Sequence, residues 1–178
     1  MMFVSLGLGA LVAIALITVV SVLTGGKATP NNEAPPSALV GTHIKSFTLG
    51  GLNGGTVSAP WTSGRASVLI FFASWCGPCK SEMPKVAAYL RTNASSTVEV
   101  LGMDANDERA AARAFVEKDG VTFPVAFDAN GDVTSGDFSF LTVPETVFLN
   151  AKGVVTQVYF GAIPVKQLAE GIKNLEAT

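Results

Sequence analysis

The chain has 178 residues, of which 15% are charged, and a formal net charge of −2 at pH 7. This length predicts one domain with a small additional segment. The nearly balanced charge gives no support for nucleic-acid binding, which relies on clustered Lys and Arg side chains.

The N-terminal segment, residues 1–26, contains no charged side chain. Its apolar run from Phe3 to Leu23 matches the ~20 residues that a helix needs to cross a bilayer core. A cleaved signal peptide usually has a basic start and an apolar run of only about 7–15 residues. We therefore predict an uncleaved, single-pass membrane anchor over residues 1–26, with cleavage after Ala28 as the alternative.

A Pro-, Asn- and Ser-rich stretch over residues 27–41 predicts a flexible linker, because it has too little apolar surface to fold. The folded domain is predicted over residues 42–178. Lys27 and Lys45 both follow the apolar run, so the positive-inside tendency weakly favours a cytoplasmic domain.

The domain pattern alternates between apolar runs and amphipathic stretches. The first predicted elements are a hairpin over 47–58, a buried strand over 66–74, and a helix with Met83, Val86, Ala87 and Leu90 on one face. A strand over 97–105 and a helix over 106–120, capped by Asn106, follow. The last predicted elements are a strand over 123–127, a turn over 128–132, strands over 146–150 and 154–160, and a final helix from about Pro164. The strand–helix–strand part favours parallel pairing and the late hairpin favours antiparallel pairing. The sequence therefore predicts an α/β domain with a mixed central sheet flanked by helices.

The two cysteines of the chain, Cys76 and Cys79, lie three residues apart. A structural zinc site needs four ligands, and His43 is the sole histidine, which disfavours zinc. Two inert core cysteines are the second alternative. The pair, however, opens a predicted helix, where free N–H groups and the helix dipole favour a thiolate. A redox-active pair is therefore the favoured interpretation.

Within the motif, each residue has an expected role. Cys76 at the helix start is expected to be exposed, with the lower pKa, and to be the nucleophile, whereas Cys79 is more covered and resolves the mixed disulfide. Gly77 allows a tight entry into the helix, and Pro78 fits a first turn because its missing N–H is not needed there. Trp75 either shields the pair or is an ordinary core tryptophan.

The stretches FFASWCGPCKSEMP (71–84) and VPETVFLNAKGVV (143–155) resemble the membrane-anchored thiol–disulfide oxidoreductases of the TlpA, ResA and CcmG (DsbE) type in the thioredoxin superfamily. The resemblance covers residues 40–175. It implies a thioredoxin-like fold preceded by one N-terminal transmembrane helix. It also implies a cis bond at Val143–Pro144 that faces the disulfide and contacts substrate; an ordinary trans proline is the alternative.

The same resemblance implies that Glu82 is the active-site acid, three residues after Cys79, able to raise the thiol pKa and to exchange protons. A solvated glutamate is the alternative. Glu145, beside Pro144, either extends an acidic site or lies on the surface. Ordinary thioredoxins carry a buried acid where this chain has Ile70, which makes Glu82 more important for proton transfer.

The resemblance further implies an enzyme that reduces cysteines of substrate proteins, in particular the haem-attachment pair of apocytochrome c. Its electrons would come from a membrane thiol-reductant transporter, and its domain would lie on the extracytoplasmic side of the cell membrane. No cofactor is expected besides the Cys76–Cys79 disulfide, and no metal. The alternatives are a thiol oxidase for secreted proteins and, in another class, a non-catalytic, membrane-tethered binding or chaperone module.

Overall fold

The computed structural model describes residues 37–140 and 142–178. Within these two ranges, no helix is both long enough and apolar enough to cross a bilayer. The predicted anchor over residues 1–26 and most of the predicted linker lie outside the described residues.

Seven strands of the described chain form one sheet, flanked by helices. The strands are β1 (Thr48–Gly51), β2 (Thr56–Ser58), β3 (Ala66–Phe72), β4 (Val98–Ala105), β5 (Val125–Asp128), β6 (Glu145–Leu149) and β7 (Val155–Phe160). The helices are α1 (Gly77–Thr92), α2 (Arg109–Lys118), α3 (Asp132–Gly136) and α4 (Val165–Glu176), and a 3-10 turn covers Pro60–Ser63.

The sheet order is β2-β1-β5-β4-β3-β6-β7. Strands β3, β4 and β5 pair in parallel through the crossover helices α1 and α2, and the remaining pairs are antiparallel. The predicted mixed sheet is therefore confirmed. Because β6 runs antiparallel to β3 and β7, the start of β6 lies at the same end of the sheet as the ends of β3, β4 and β7.

The central strand β3 is buried along its full length. Alternate residues of a strand point to opposite faces, so β3 contributes to two apolar layers. Ile70 and Phe72 pack in the layer that contains Cys79 and Met83 of α1. Phe71 belongs to the opposite layer. Coverage on both faces explains the uninterrupted apolar run in the sequence.

The residues predicted as the end of the linker belong to the fold. Gly41 donates its N–H to the Val155 carbonyl at 2.8 Å, and Ile44 donates to the Gly153 carbonyl at 2.9 Å. Exposed His43 forms an isolated bridge with Val154. These backbone hydrogen bonds therefore tie residues 41–44 to the chain at the start of β7.

Helix α2 begins later than predicted. Asn106 has a positive φ of 53° and lies before the helix, so its side chain does not cap it. The predicted turn over 128–132 continues into the short helix α3. Asp128 stabilises that helix start, because its carboxylate accepts the Thr134 N–H at 2.9 Å and the Thr134 hydroxyl at 2.8 Å.

Candidate active site

The cysteine pair lies where β3 leads into α1. Cys76 is the N-cap of α1, with Gly77 and Pro78 in the first turn, and the structure joins Cys76 to Cys79 as a disulfide. The Cys79 N–H donates to Cys76 Sγ at 3.1 Å. Pro78 lies in the first turn of the helix, where a backbone N–H would have no partner within the helix, so its missing N–H costs no hydrogen bond. The free N–H of Cys79 at this helix end points at Cys76 Sγ.

Both cysteines are buried in the disulfide form. Cys76 is 3% exposed and Cys79 is 0% exposed, so the expectation of an exposed Cys76 is wrong for this state. The Val143–Pro144 segment, whose peptide bond is cis, lies beside Cys76. Cys76 Sγ lies 3.5 Å from the Val143 carbonyl oxygen. Because the Val143–Pro144 bond is cis, the alternative of an ordinary trans proline is wrong.

Trp75 is 59% exposed, which excludes the alternative of a core tryptophan. Its indole N–H donates to the Asn106 carbonyl at 2.8 Å, so the loop after β4 fixes the ring beside Cys76. A large aromatic surface fixed next to the disulfide offers apolar contact area to another protein chain.

Glu82 is 3% exposed, so the alternative of a solvated glutamate is wrong. One carboxylate oxygen, Oε1, accepts the Ile163 N–H at 2.7 Å. The other oxygen has no donor among the described residues. Burial raises the pKa of Glu82 to about 7, and the Ile163 hydrogen bond offsets part of that rise.

Glu145 is also buried, at 5% exposure, so the alternative of a surface role is wrong. It follows Pro144 and pairs in register with Phe71 and Phe160. The Thr142 hydroxyl lies 3.5 Å from its Oε1. Burial raises the pKa of Glu145 to about 7, and the Thr142 contact offsets part of that rise.

The two glutamates place exchangeable protons at the end of the sheet that carries the disulfide. A carboxyl group with a pKa near 7 can both donate and accept a proton at neutral pH. Ile70 is fully buried and apolar, so it cannot serve in proton transfer. The arrangement is suited to thiol chemistry in which protons leave and return to sulfur.

Two acidic residues, Asp104 and Asp107, were missed by the sequence reasoning. Asp107 accepts hydrogen bonds from the backbone N–H and, at 2.9 Å, the hydroxyl of Ser74, two residues before Cys76. Asp104 is buried at the end of β4. The available signal was an acid within the otherwise apolar end of the predicted strand 97–105.

Comparisons with known proteins agree with this geometry. The AhpC/TSA family model matches residues 40–158. Sporulation thiol-disulfide oxidoreductase A of Bacillus subtilis (strain 168) is 26% identical over 127 residues, covering 70% of this chain and 76% of that protein. Thiol-disulfide oxidoreductase ResA of Halalkalibacterium halodurans is 25% identical over 158 residues, covering 88% and 89%.

Solved structures show the same fold. StoA from Bacillus subtilis has a TM-score of 0.65 at 25% identity, covering 72% of this chain and 97% of that one. The thiol:disulfide interchange protein DsbE from Chlorobium tepidum has a TM-score of 0.64 at 25% identity, covering 76% and 96%. The chain therefore belongs to the AhpC/TSA family, has a thioredoxin-like fold, and is a thiol–disulfide oxidoreductase.

Proposed function

We propose that this protein is a membrane-tethered, extracytoplasmic reductase of protein disulfides, with the haem-attachment cysteines of apocytochrome c as its substrate. The Cys76 thiolate attacks one sulfur of the substrate disulfide, forming a mixed disulfide and releasing one substrate thiolate. The Cys79 thiolate then attacks Cys76 Sγ and releases the second. The substrate gains two electrons and two protons, and the protein becomes the Cys76–Cys79 disulfide.

Local geometry supports Cys76 as the nucleophile. The Cys79 N–H already points at its sulfur, and the positive end of the α1 dipole lies there too. Both favour the thiolate form of Cys76. Cys79 lies inside the helix and is fully buried, which suits a thiol that reacts only with a neighbouring sulfur.

The buried acid Glu82 is the observation that carries the proposed direction. It lies three residues after Cys79 on α1, a spacing that places side chains on the same helix face. A nearby carboxylate disfavours a thiolate, whereas strongly oxidising proteins stabilise their reduced form. Glu145 adds a second acid beside Pro144. Acidic side chains near the cysteines therefore disfavour the reduced, thiolate form, which makes the cysteine pair a stronger reductant.

The substrate proposal is supported by the resemblance to the ResA and CcmG type and by the exposed Trp75 ring, which gives a protein chain a contact surface beside Cys76. Re-reduction by a membrane thiol-reductant transporter completes the cycle. The uncharged segment over residues 1–26 supports tethering to the membrane.

The test combines a reduction potential with a substrate assay. The reduction potential of the Cys76–Cys79 pair is measured by equilibration with glutathione. In the substrate assay, the reduced full chain is mixed with an oxidised Cys-x-x-Cys-His peptide, and Cys76→Ser is the control. We expect a potential below the roughly −180 to −120 mV of oxidising proteins, and peptide reduction that Cys76→Ser abolishes. A potential near −120 mV, with disulfide transfer to a reduced peptide, would make the protein an oxidase. Equal activity of Cys76→Ser would exclude catalysis by the pair.

The proposed location is tested separately in intact cells that express the full chain. Reduced Cys76 is probed with a membrane-impermeant maleimide, before and after lysis. Labelling before lysis supports the extracytoplasmic side, and labelling only after lysis contradicts it. Recovery of the labelled chain in the membrane fraction tests the tether.

A further inference from the structure

The last strand of the sheet, β7, has an outer edge that ends beside the redox site. Among the described strands, β7 pairs with β6 and with no other. Its last residue, Phe160, precedes Gly161, whose N–H donates to the Pro144 carbonyl at 2.9 Å. The carbonyl oxygen of Val143, on the other side of the cis bond, lies 3.5 Å from Cys76 Sγ. A polypeptide on the outer edge of β7 therefore lies next to the segment that contacts Cys76.

The hydrogen bonds of β7 determine which of its backbone groups point away from β6. In an antiparallel pair, residues that exchange N–H and C=O bonds with the partner strand alternate with residues whose groups point outward. Gly161 bonds to Pro144, so by alternation Tyr159 bonds to β6, and Val158 and Phe160 point outward. The backbone groups of Val158 and Phe160 form no bond to residues outside the strand pairing in 37–140 and 142–178. Both N–H groups and both carbonyls are therefore available to another strand.

The first residue of β7 shows that this edge accepts a strand. Val155 accepts the Gly41 N–H at 2.8 Å and donates its own N–H to the Thr42 carbonyl at 2.9 Å. The adjacent bridge to this strand is antiparallel. Residues 38–41 form a turn, so the pairing does not continue along the strand. Residues 156–160 thus have an outer edge without a strand partner in the described part of the chain.

The side chains along this edge carry no charge. Residues 153–165 contain no charged side chain, β7 contains no proline, and the register shift of the β6–β7 pair lies near the strand start. Edge strands are usually protected from other chains by charges, prolines, bulges or a covering element. Phe160 is 52% exposed, and its side chain lies on the same face of the sheet as that of Val158. An incoming uncharged strand therefore meets backbone hydrogen-bonding groups and an aromatic surface.

Two kinds of strand could pair with this edge, a second copy of β7 and an extended segment of a substrate protein. In an antiparallel self-pair centred on Val158, Gly161 of one copy would lie opposite Val155 of the other. Val155 already bonds to Gly41 and Thr42, so self-pairing is limited to a few residues. A substrate segment has no such limit, because it can leave the edge on either side of Val158. The edge also ends beside the disulfide, which a substrate protein must reach.

We propose that the outer edge of β7 binds an extended, uncharged segment of the substrate protein as an additional strand. The segment bonds to the N–H and C=O groups of Val158 and Phe160 and places an apolar side chain on the Phe160 ring. It leaves the strand beside Pro144, where its cysteines reach Cys76. This docking site rests on the proposed reduction of protein disulfides, and it specifies what the substrate carries near its cysteines, a short stretch of β-forming residues.

The first test measures amide hydrogen exchange by NMR in the oxidised full chain in detergent micelles. In the free protein, the outward N–H groups of Val158 and Phe160 should exchange faster than the inward N–H of Tyr159. A cysteine-free peptide with a Thr-Val-Thr-Val-Thr segment, at saturation, should slow exchange at Val158 and Phe160 about fivefold or more. Unchanged exchange would overturn the proposal. Protection of both groups before peptide is added, by another segment of the chain or by a second copy, would also overturn it.

The second test links the edge to the reaction, in single turnovers of the reduced full chain. Two oxidised Cys-x-x-Cys-His peptides are compared, one with a Thr-Val-Thr-Val-Thr flank and one with a Gly-Ser flank of equal length. We expect the second-order rate constant to be about fivefold larger for the first peptide. Equal rates would overturn the docking site alone, whereas reduction of neither peptide would contradict the proposed function.

Variants of the two sheet edges complete this test. Val158→Pro removes an outward N–H without removing a bond to β6, and it should abolish the preference for the first peptide. Ser58→Pro on the opposite edge strand, β2, is the matched control and should retain the preference, because Ala59 bonds inward to Phe47 and the Ser58 N–H points outward. Phe160→Ser alters a half-exposed side chain and should lower the preference as well. A full preference in either Val158→Pro or Phe160→Ser would overturn the proposal.

Discussion

Glu82 on α1 accepts the backbone N–H of Ile163 at 2.7 Å, across 81 residues of sequence. This single bond fastens the helix that carries both cysteines to the loop between β7 and α4. The second oxygen of Glu82 remains without a donor among the described residues. One side chain therefore has both an anchoring bond and an oxygen able to exchange a proton.

Replacing Glu82 by Gln should make the pair less reducing. The amide oxygen can still accept the Ile163 N–H, so the helix stays in place, but the negative charge that disfavours thiolate is gone. We expect the potential to rise by about 30 mV, since 30 mV corresponds to ~1.4 kcal/mol for a two-electron couple. Equilibration with glutathione at pH 7 measures it, and an unchanged or lower potential would argue against an electrostatic role for Glu82.

Replacing Glu82 by Ala removes the anchoring bond as well as the charge. The buried Ile163 N–H then loses its acceptor, which costs about 1–3 kcal/mol of the free energy of unfolding. Urea unfolding of the oxidised protein measures this, with Glu82→Gln as the matched control. Equal stability of the two variants would show that the Ile163 bond contributes nothing measurable.

The stability of the oxidised protein should fall as pH rises. Glu82, Glu145 and Asp104 have pKa values of about 7, 7 and 8 when folded, and near 4 when unfolded. The folded chain therefore binds more protons between about pH 4 and pH 8, so the free energy of unfolding decreases across that range and levels off above it. Urea titrations at pH 5, 6, 7 and 8 measure the trend. Glu82→Gln should reduce the slope, and a stability that rises from pH 5 to pH 8 would contradict the prediction.

Trp75 should matter for substrate binding more than for folding. Its ring is mainly exposed, so Trp75→Ala should lower the free energy of unfolding by no more than about 1 kcal/mol. Loss of the contact surface should raise KM for insulin reduction about fivefold, corresponding to ~1 kcal/mol. Trp75→Phe, which keeps an aromatic ring, is the control. An unchanged KM for the alanine variant would remove Trp75 from the binding surface.

The packing of α4 on the sheet should be sensitive to one glycine. A Cβ at Gly171 would overlap the Phe148 ring, whereas a Cβ at Gly136 on α3 meets nothing within 4 Å. Gly171→Ala should therefore destabilise the protein by about 1–3 kcal/mol, and Gly136→Ala should change the stability by less than about 1 kcal/mol. Thermal unfolding compares them, and equal midpoints would show that α4 shifts freely on the sheet.

The sheet and the cysteine motif were predictable because their signals are local. The apolar run of β3 requires cover on both faces, and the apolar spacing in α1 places Met83 and Val86 against that strand. The position of Cys76 at the start of α1 follows from the Gly-Pro dipeptide after it. These features depend on neighbours in sequence, so composition and spacing suffice.

The proton-exchanging groups were only partly predictable. The acceptor role of Glu82 depends on Ile163, and no local pattern links residues so far apart. The start of α2 was misplaced because Asn106 adopts a positive φ and its carbonyl accepts the Trp75 indole N–H, so this residue lies in the loop before the helix. The contact between Ser74 and Asp107 was missed because the two residues lie 33 positions apart, on different loops.

Trapping the mixed disulfide tests the central claim, that Cys76 attacks and Cys79 resolves, most directly. Full-length Cys79→Ala and Cys76→Ala are each incubated with an oxidised Cys-x-x-Cys-His peptide, and the intact protein mass is recorded. We predict a stable peptide adduct through Cys76 in Cys79→Ala and none in Cys76→Ala. An adduct on Cys79 in Cys76→Ala, with none in Cys79→Ala, would contradict the account.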